Sequence, residues 1–248
     1  MTLVGNVTEP EGRALLLQSP QGAREARLLF ERAIALDPEF AEAHRWLALS
    51  CDAGWGLGGE PKEPNLRLGI EAAQKALALD PTDASAHSVY ALLLSDHRRW
   101  DEAETEFAAG LELDPNNADA WAMLSELMTL SGRPTEALAD IQKALRLNPH
   151  PPGWYYWLLG QAQYLDRQYE RAVQSLCREE TYRTPSRRTL AASLAQLGRL
   201  DEAQREAAMF MASNQHFTIR SWLESQPFDD QAACQHFVDG YRKAGLPE

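Results

Sequence analysis

The chain has 248 residues, and its hydrophobic fraction of 44% is enough to bury a core of ordinary size. It carries 36 acidic and 24 basic residues, and the formal net charge of -12 argues against a general binder of nucleic-acid phosphates. The three cysteines lie far apart, without a CxxC or Cys/His spacing, so we expect no disulfide framework, no metal and no cofactor. No secretory signal is visible, and the longest uncharged run, 149–165, is broken by Pro, Gly and Gln. We therefore expect a cytoplasmic protein without a nucleic-acid or membrane partner.

The first clear element is an amphipathic helix. Residues 1–10 are polar, and 11–18 contain Leu15, Leu16 and Leu17, so residues 1–19 predict a lead-in with a partial helix. Ala26, Phe30 and Ala33 then recur at helical spacing before Asp37-Pro38, where proline stops the helix. The residues at about 20–40 thus predict the first unit of the fold.

The next unit, 41–83, contains an insertion. Residues 52–68 are rich in Gly and Pro around Trp55, and they make this unit longer than its neighbours. We expect these residues to form an inserted loop between two helices, because glycine and proline disfavour helix interiors.

Two copies of one sequence unit follow, at 84–117 and 118–151. They align without a gap over 34 residues, and Ala103, Phe107 and Gly110 fall on Ala137, Ile141 and Ala144. A fixed period of this length is typical of a helical repeat array. Further units are predicted at 152–183 and 184–217, so the array runs over 20–217.

The last segment, 218–248, differs from the repeats. It predicts two short helices, and the second has an apolar stripe formed by Ala233, Phe237, Tyr241 and Ala244. Terminal repeats need a polar outer face, so we interpret this segment as a C-terminal helical cap.

The repeats resemble the tetratricopeptide repeat (TPR) family. The residues that match its pattern are Trp121, Leu124, Gly132, Ala137, Ile141, Ala144 and Pro149, together with Leu92, Ala103, Phe107 and Pro115. The resemblance implies an all-α, right-handed TPR superhelix (an α-solenoid) of five to six helix pairs with the C-terminal cap. His44 and His87 stand where the family usually has Trp, and Gln215 stands where other units have proline.

A narrower resemblance is to the C-terminal TPR region of bacterial class III adenylate/guanylate cyclase-type proteins. It is carried by LFERAIALDPEFAEAH, LRLNPHPPGWYYWLLGQAQY, LAASLAQLGRLDEA and the ending QPFDD…FVDGYRKAGLPE. In such proteins a cyclase domain precedes the repeats, and we expect no such domain before residue 20 of this chain.

The TPR resemblance also implies a binding surface. Family members bind partners through positions 2, 5, 9, 12 and 13 of each first helix, here called the inner-face positions. Carried over to this chain, the candidate residues are Arg45, Leu49, Ser88, Leu92, Asp119, Glu126, Trp154, Trp157, Gln161, Tyr164 and Arg188. The Lys and Asn set with which some members clamp an acidic tail is absent. Exposed aromatic residues at Trp154, Trp157 and Tyr164 would anchor a peptide, or the rings would pack between helices.

Other candidate sites have simpler explanations. Trp55 in the insertion is either a functional loop residue or a cover for the end of the first two units. His44, His87 and Cys51 allow a metal site, but interhelical histidines with hydrogen-bond partners explain them better. No catalytic triad, P-loop or cyclase metal-aspartate pattern is present.

The sequence therefore predicts a non-catalytic protein-interaction module that binds a peptide or protein segment in a regulatory or scaffolding role. One alternative is a regulatory module of a class III nucleotide cyclase system. Another is self-association into a homo-oligomer through Phe237 and Tyr241 or the 52–68 loop.

Overall fold

The computed structural model describes residues 20–56, 60–178, 181 and 183–248. Every regular element in these ranges is a helix, which confirms the all-α fold class. The predicted lead-in at 1–19 lies outside the described residues. The thirteen helices of the described ranges are α1 (Pro20–Leu36), α2 (Ala41–Gly56), α3 (Lys62–Leu79), α4 (Ala84–Asp96), α5 (Trp100–Leu113), α6 (Ala118–Leu130), α7 (Pro134–Leu147), α8 (Gly153–Leu165), α9 (Tyr169–Leu176), α10 (Arg183–Gln196), α11 (Leu200–Ser213), α12 (Ile219–Ser225) and α13 (Gln231–Lys243).

The chain divides into two compact units, Met1–Pro115 and Asn116–Glu248. Each unit is a stack of helix pairs of the TPR type. In the first unit α2 pairs with α3 and α4 with α5, while α1 packs on α2. In the second unit α6 pairs with α7, α8 with α9 and α10 with α11, and α13 packs on α10.

The turns inside the helix pairs explain why Gly and Arg alternate there. Arg98, Gly132, Arg167 and Gly198 occupy equivalent turns, and all four have positive φ between 61° and 77°. This left-handed conformation costs a non-glycine residue about 1 kcal/mol, so glycine is favoured and arginine is tolerated. The conformation tightens the turn and brings the paired helices together.

Small residues let the paired helices approach closely, as the sequence predicts. Ala91 and Ala103 are fully buried in one pair, and Ala191 and Ala203 in another. In α8 a Cβ atom on Gly160 would lie 2.5 Å from the Leu176 side chain, so the α8–α9 contact requires a residue without one.

The inserted loop predicted at 52–68 is largely helical, and that prediction is wrong. α2 continues to Gly56 and α3 begins at Lys62, so the extra residues lengthen both helices. Residues 57–59, in the short connection, lie outside the described ranges. The longer pair buries Leu66, while Gly69 approaches Leu93 and Cys51. The packing of these residues outweighs the low helix propensity of glycine.

The C-terminal helix α13 lies against the first helices of the second unit, α6, α8 and α10. At the α6 end, the backbone N–H groups of Asp229 and Asp230 donate to the carbonyl of Leu130, 3.1 and 3.4 Å away. At the α10 end, Lys243 donates to the side-chain oxygen of Gln196 over 3.4 Å. The segment 218–248 therefore covers part of the inner-face side of these helices, in addition to following the last repeat.

Tyr164 of α8 is the centre of this contact. Its ring is fully buried and stacks on His236 and Phe237, with ring centroids 4.7 and 4.9 Å apart. Its hydroxyl donates to the backbone carbonyl of His236 over 2.9 Å. On α13 the predicted apolar stripe faces inward, and both Phe237 and Tyr241 are 1% exposed. These two residues are therefore not a surface for self-association, which corrects that alternative.

The first prediction concerns Gly240, which faces Tyr164 across this contact. A Cβ atom on Gly240 would overlap the Tyr164 hydroxyl oxygen and lie 2.9 Å from the Cβ of Ala192. We expect Gly240→Ala to lower the free energy of unfolding, measured in urea, by about 1–3 kcal/mol through overpacking. Because Tyr164→Phe removes the overlapping oxygen, the double variant should lose less stability than the sum of the single variants.

Gly56→Ala is the matched control, because a Cβ atom built there has no described atom within 4 Å apart from its chain neighbours and its own helix backbone. It should change the free energy of unfolding by less than about 0.5 kcal/mol. A Gly240→Ala protein that unfolds at the wild-type urea concentration would contradict the described contact.

The second prediction concerns His236. Burial, and then the nearby Arg167, lower the pKa of this imidazole below its ordinary 6.5, so the packed helix favours the neutral ring. The stability that His236 contributes is present above the ordinary pKa and lost as the pH falls below it. The free energy of unfolding of wild type relative to His236→Gln should therefore decrease from about pH 7.5 to about pH 5.

Comparison of wild type with His236→Gln separates the effect of His236 from that of other titrating groups. Asp140, for example, has its pKa raised to about 6, mainly by burial, and its contribution has the opposite sign. Parallel pH profiles for wild type and His236→Gln would refute the proposed role of the imidazole.

Candidate functional site

In the first unit, the charged inner-face residue Arg45 is already paired. Its guanidinium lies 2.7 Å from Glu42 and 3.0 Å from Asp83, and it stacks over the ring of Trp46 at 4.6 Å. Two carboxylates therefore neutralise Arg45, which leaves little attraction for an external anion.

The other inner-face residues of the first unit offer little polar surface. Leu49 is half-buried, while Ser88 and Leu92 are 2% and 9% exposed. The Ser88 hydroxyl donates to the carbonyl of Ala84 within α4 over 2.9 Å, so its hydrogen-bonding capacity is used inside the helix.

Trp55 belongs to a small cluster of charged and aromatic groups in the first unit. The Lys62 ammonium lies 4.3 Å from the centre of its ring. Asp52 and Asp96 hydrogen-bond through their side chains, and burial raises the pKa of Asp52 and lowers that of Lys62. The half-buried indole thus packs at the end of α2, as the simpler explanation of Trp55 requires.

Two histidines of the first unit, His44 and His87, hold the turns that precede their helices. His44 and His87 each direct Nε2 at a backbone carbonyl, of Pro38 at 3.0 Å and of Pro81 at 3.2 Å. The Nδ1 atom of His87 lies 2.7 Å from Glu106. Cys51 is buried, and burial raises the pKa of its thiol to about 11. In the described ranges, no group of three or more His, Cys, Asp or Glu residues could hold a metal ion.

The acidic inner-face residues of the second unit lie on α6. Asp119 accepts a hydrogen bond from the buried hydroxyl of Tyr155 on α8 over 2.6 Å. Burial, reinforced by the Asp119 charge, raises the pKa of this phenol well above its usual range. Glu126, two turns further along α6, is half-buried. This end of the surface is therefore negative.

The two tryptophans of α8 are half-buried and occupy the middle of the surface. Trp154 meets the ring of Tyr155 edge-on, with centroids 4.5 Å apart. Trp157 packs against two clusters of buried apolar side chains, one that contains Tyr155 and one that contains Tyr164. Its indole Nε1 and the side-chain Nε2 of Gln161 are buried and have no acceptor within the described part of the chain.

Arg188 lies on α10 at the opposite end from Asp119. Its guanidinium lies 5.6 Å from the ring centre of Trp222 and hydrogen-bonds to Tyr241. The Nε atom is buried without an acceptor, and no carboxylate of the described residues forms an ion pair with Arg188. No described carboxylate therefore compensates the positive charge of this half-buried arginine.

The structure thus separates the candidate residues of the second unit into two groups. Tyr164 is enclosed beneath α13, where no external partner reaches it. This ring therefore packs between helices, which is the second of the two roles considered for the aromatic residues. The remaining six form what we call the open inner face: Asp119, Glu126, Trp154, Trp157, Gln161 and Arg188.

Sequence reasoning missed the residues of the C-terminal segment that border this face, Trp222, His236 and Tyr241. The apolar stripe on α13 could have indicated these residues. Gly240 interrupts this stripe at a position where a packed helix would normally carry a side chain. Such a stripe needs an apolar partner surface, and Tyr164 is the large ring at the nearest inner-face position.

Comparison with curated proteins gives a relative in Rhizobium meliloti (strain 1021), a putative adenylate cyclase 3. The two chains are 35% identical over an alignment of 107 residues, and the match covers 39% of this chain. The match spans only 18% of the length of that relative.

Solved structures share the fold at low sequence identity. Pseudomonas aeruginosa pilF superposes with a TM-score of 0.55 at 20% identity, covering 83% of this chain and 90% of that protein. A monomeric mutant of IFIT1 with Gppp-AAAA gives 0.69 at 18% identity, covering 96% and 58%. A chain of the APC/C hetero-tetramer Cut9-Hcn1 gives 0.64 at 16% identity, covering 90% and 39%.

The helices of the described residues are too short or too polar to cross a membrane. The family model for the tetratricopeptide repeat matches residues 12–54, 65–118, 91–152 and 131–188. These matches cover more than half of the sequence, and paired helices with tight turns recur throughout the matched regions that the structure describes. The chain therefore belongs to the tetratricopeptide repeat family.

Proposed function

We propose that this chain is a non-catalytic module that binds a peptide or protein segment on the open inner face, in a regulatory or scaffolding role in the cytoplasm. Membership in the TPR family supports this function, because TPR repeats typically act as interaction scaffolds. The similar structures are under 25% identical and support the fold alone.

The observation that carries the proposal is the set of aromatic rings and unpaired donors that α8 presents among the described residues. Trp154 and Trp157 present half-buried rings, and the N–H groups of Trp157 and Gln161 lack acceptors among the described residues. The side chains of a bound polypeptide would pack on the rings, and its carbonyls would accept hydrogen bonds from Trp157 and Gln161 once a change of side-chain rotamer turns these buried donors outward. In the first unit, by contrast, Arg45 is paired with two carboxylates and the Ser88 hydroxyl bonds within α4, so we place the main contact on the second unit.

The overall charge favours a polypeptide over a nucleic acid as the partner. IFIT1 is bound to Gppp-AAAA in its structure, but at 18% identity that likeness shows only the fold. A net charge of -12 and the carboxylates of Asp119 and Glu126 on the open inner face would repel a phosphate backbone.

The third prediction tests the proposed surface with a displayed library of random peptides selected on the immobilised full chain. We expect Trp154→Ala to weaken binding of the selected peptides about tenfold or more, since it removes an aromatic anchor. The affinity would be measured by fluorescence anisotropy with labelled peptides.

Trp121→Ala is the matched control for Trp154→Ala. Trp121 is also a half-buried tryptophan on a first helix, but its ring faces Lys143 of the paired helix α7 at 3.6 Å. The Trp121→Ala variant should bind the selected peptides with an affinity within about threefold of wild type. The proposal fails if no peptide is selected, or if the two variants weaken binding equally.

A second candidate function is regulation of a class III nucleotide cyclase. The observation in its favour is the 35% identity over 107 residues to the putative adenylate cyclase 3 of Rhizobium meliloti. Because the match spans 18% of that protein, its activity is not carried over to this chain, and a regulatory contact is the function that the match supports.

The fourth prediction tests this candidate with the purified Rhizobium meliloti relative. Addition of this chain in excess should change the rate of cyclic AMP formation about twofold or more if the repeat region contacts the cyclase. An equal amount of the Trp154→Ala variant shows whether the open inner face is responsible. An unchanged rate at saturating concentration would rule out regulation of this cyclase.

A further inference from the structure

Arg188 is the one basic residue among the six of the open inner face. Arg188 forms no ion pair in the described part of the chain, whereas its neighbour Arg187 is paired with Glu206. The guanidinium is bordered by Trp222 and Tyr241, so water reaches it from only part of its surroundings. An unpaired, partly desolvated charge is unfavourable unless another group neutralises it in the functional state.

The groups around Arg188 select a carboxylate as that group. The buried Nε–H lacks an acceptor, and the planar guanidinium matches the two oxygens of a carboxylate. On α8, Trp157 and Gln161 lie one turn apart and also carry buried donors without acceptors. Donors spread over two helices suit a chain that passes along the face, with its backbone carbonyls at α8 and one side chain at Arg188.

The acidic residues of α6 limit the number of carboxylates that the partner can carry. Asp119 and Glu126 make the opposite end of the open inner face negative. A segment with several acidic residues would therefore be repelled at α6 while it is attracted at α10. The charge pattern is complementary to a segment with a single acidic residue at its α10 end.

We propose that Arg188 is the specificity-determining residue of the open inner face, and that it binds the side-chain carboxylate of one acidic residue in an extended partner segment. This inference rests on the proposed function and adds the chemistry of the partner. Trp157 and Gln161 bind the backbone of the same segment.

The fifth prediction uses libraries of peptides of about seven residues, acetylated and amidated to remove both terminal charges. Each position is fixed in turn as Glu or as its uncharged isostere Gln. We expect the wild-type chain to prefer Glu over Gln about tenfold or more at one position, because a charge-assisted hydrogen bond is lost with Gln. The preference should shrink as NaCl rises from about 0.05 M to about 0.5 M.

Arg188→Gln should abolish this preference while the Gln-containing peptides bind within about threefold of wild type. Arg188→Lys keeps the charge without the bidentate geometry and should keep a reduced preference. Arg187→Gln is the matched control, because it changes an adjacent arginine that is already paired with Glu206, and it should keep the full preference. Circular dichroism would verify that each variant is folded.

The outcomes separate this inference from the proposed function. If peptides bind without a preference for Glu at any position, or if Arg188→Gln keeps the preference, the inference is wrong and the proposed function stands. If peptides bind only when their C-terminus is a free acid, the carboxylate comes from a chain end and the side-chain assignment is wrong. If no peptide binds, the proposed function and the inference fail together.

Discussion

The packing of α13 on Tyr164 is the contact on which the arrangement of the second unit depends. A tyrosine ring that is fully buried needs apolar neighbours for the ring and a partner for the hydroxyl. The ring neighbours are Tyr169, His236 and Phe237, and the hydroxyl donates to the His236 carbonyl. Gly240 provides the space for that hydroxyl, because any side chain at this position would overlap it. An inner-face position that TPR proteins use for partners is thereby used inside the molecule.

This internal use of Tyr164 defines the surface that remains. α12 and α13 border the face at Arg188, while α6 contributes its carboxylates at the other end. Between them, α8 presents two indole rings and donors without acceptors. The remaining surface is short, aromatic in its middle and oppositely charged at its ends. These properties favour a short extended segment over a large folded partner.

The sequence predicted the helix pairs well because their causes are local. The period of the repeat, the prolines after α3, α5 and α7 and the small residues at Ala91 and Ala103 each act within one pair of helices. The prediction for the inserted segment was wrong because the cause of its structure is not local. Glycine and proline at 52–68 indicated a loop, but burial of Leu66 and the contact of Gly69 with Leu93 favour helix there. Such packing is visible only once α4 is in place.

The candidate site was predictable in part for the same reason. The family pattern identified Trp154, Trp157 and Arg188 from their positions within a repeat. It could not show that Tyr164 is enclosed, because the covering residues lie about seventy positions later in the chain. The family pattern also could not show which arginines form ion pairs. Arg45 and Arg188 occupy corresponding inner-face positions, yet among the described residues only Arg45 has carboxylates beside it.

The central claim is that the uncovered part of the inner face binds the partner while α13 stays in place. The indole N–H resonances of the 7 tryptophans in a ¹⁵N-labelled sample, titrated with a selected peptide, test this claim most directly. The account predicts that the Trp154 and Trp157 resonances shift with the peptide concentration, with a downfield change at Trp157 as its N–H gains an acceptor. The Trp222 resonance should keep its dispersed position, since α12 and α13 remain packed. Unchanged resonances of Trp154 and Trp157 would contradict the account, and so would collapse of the Trp222 resonance to an unfolded position.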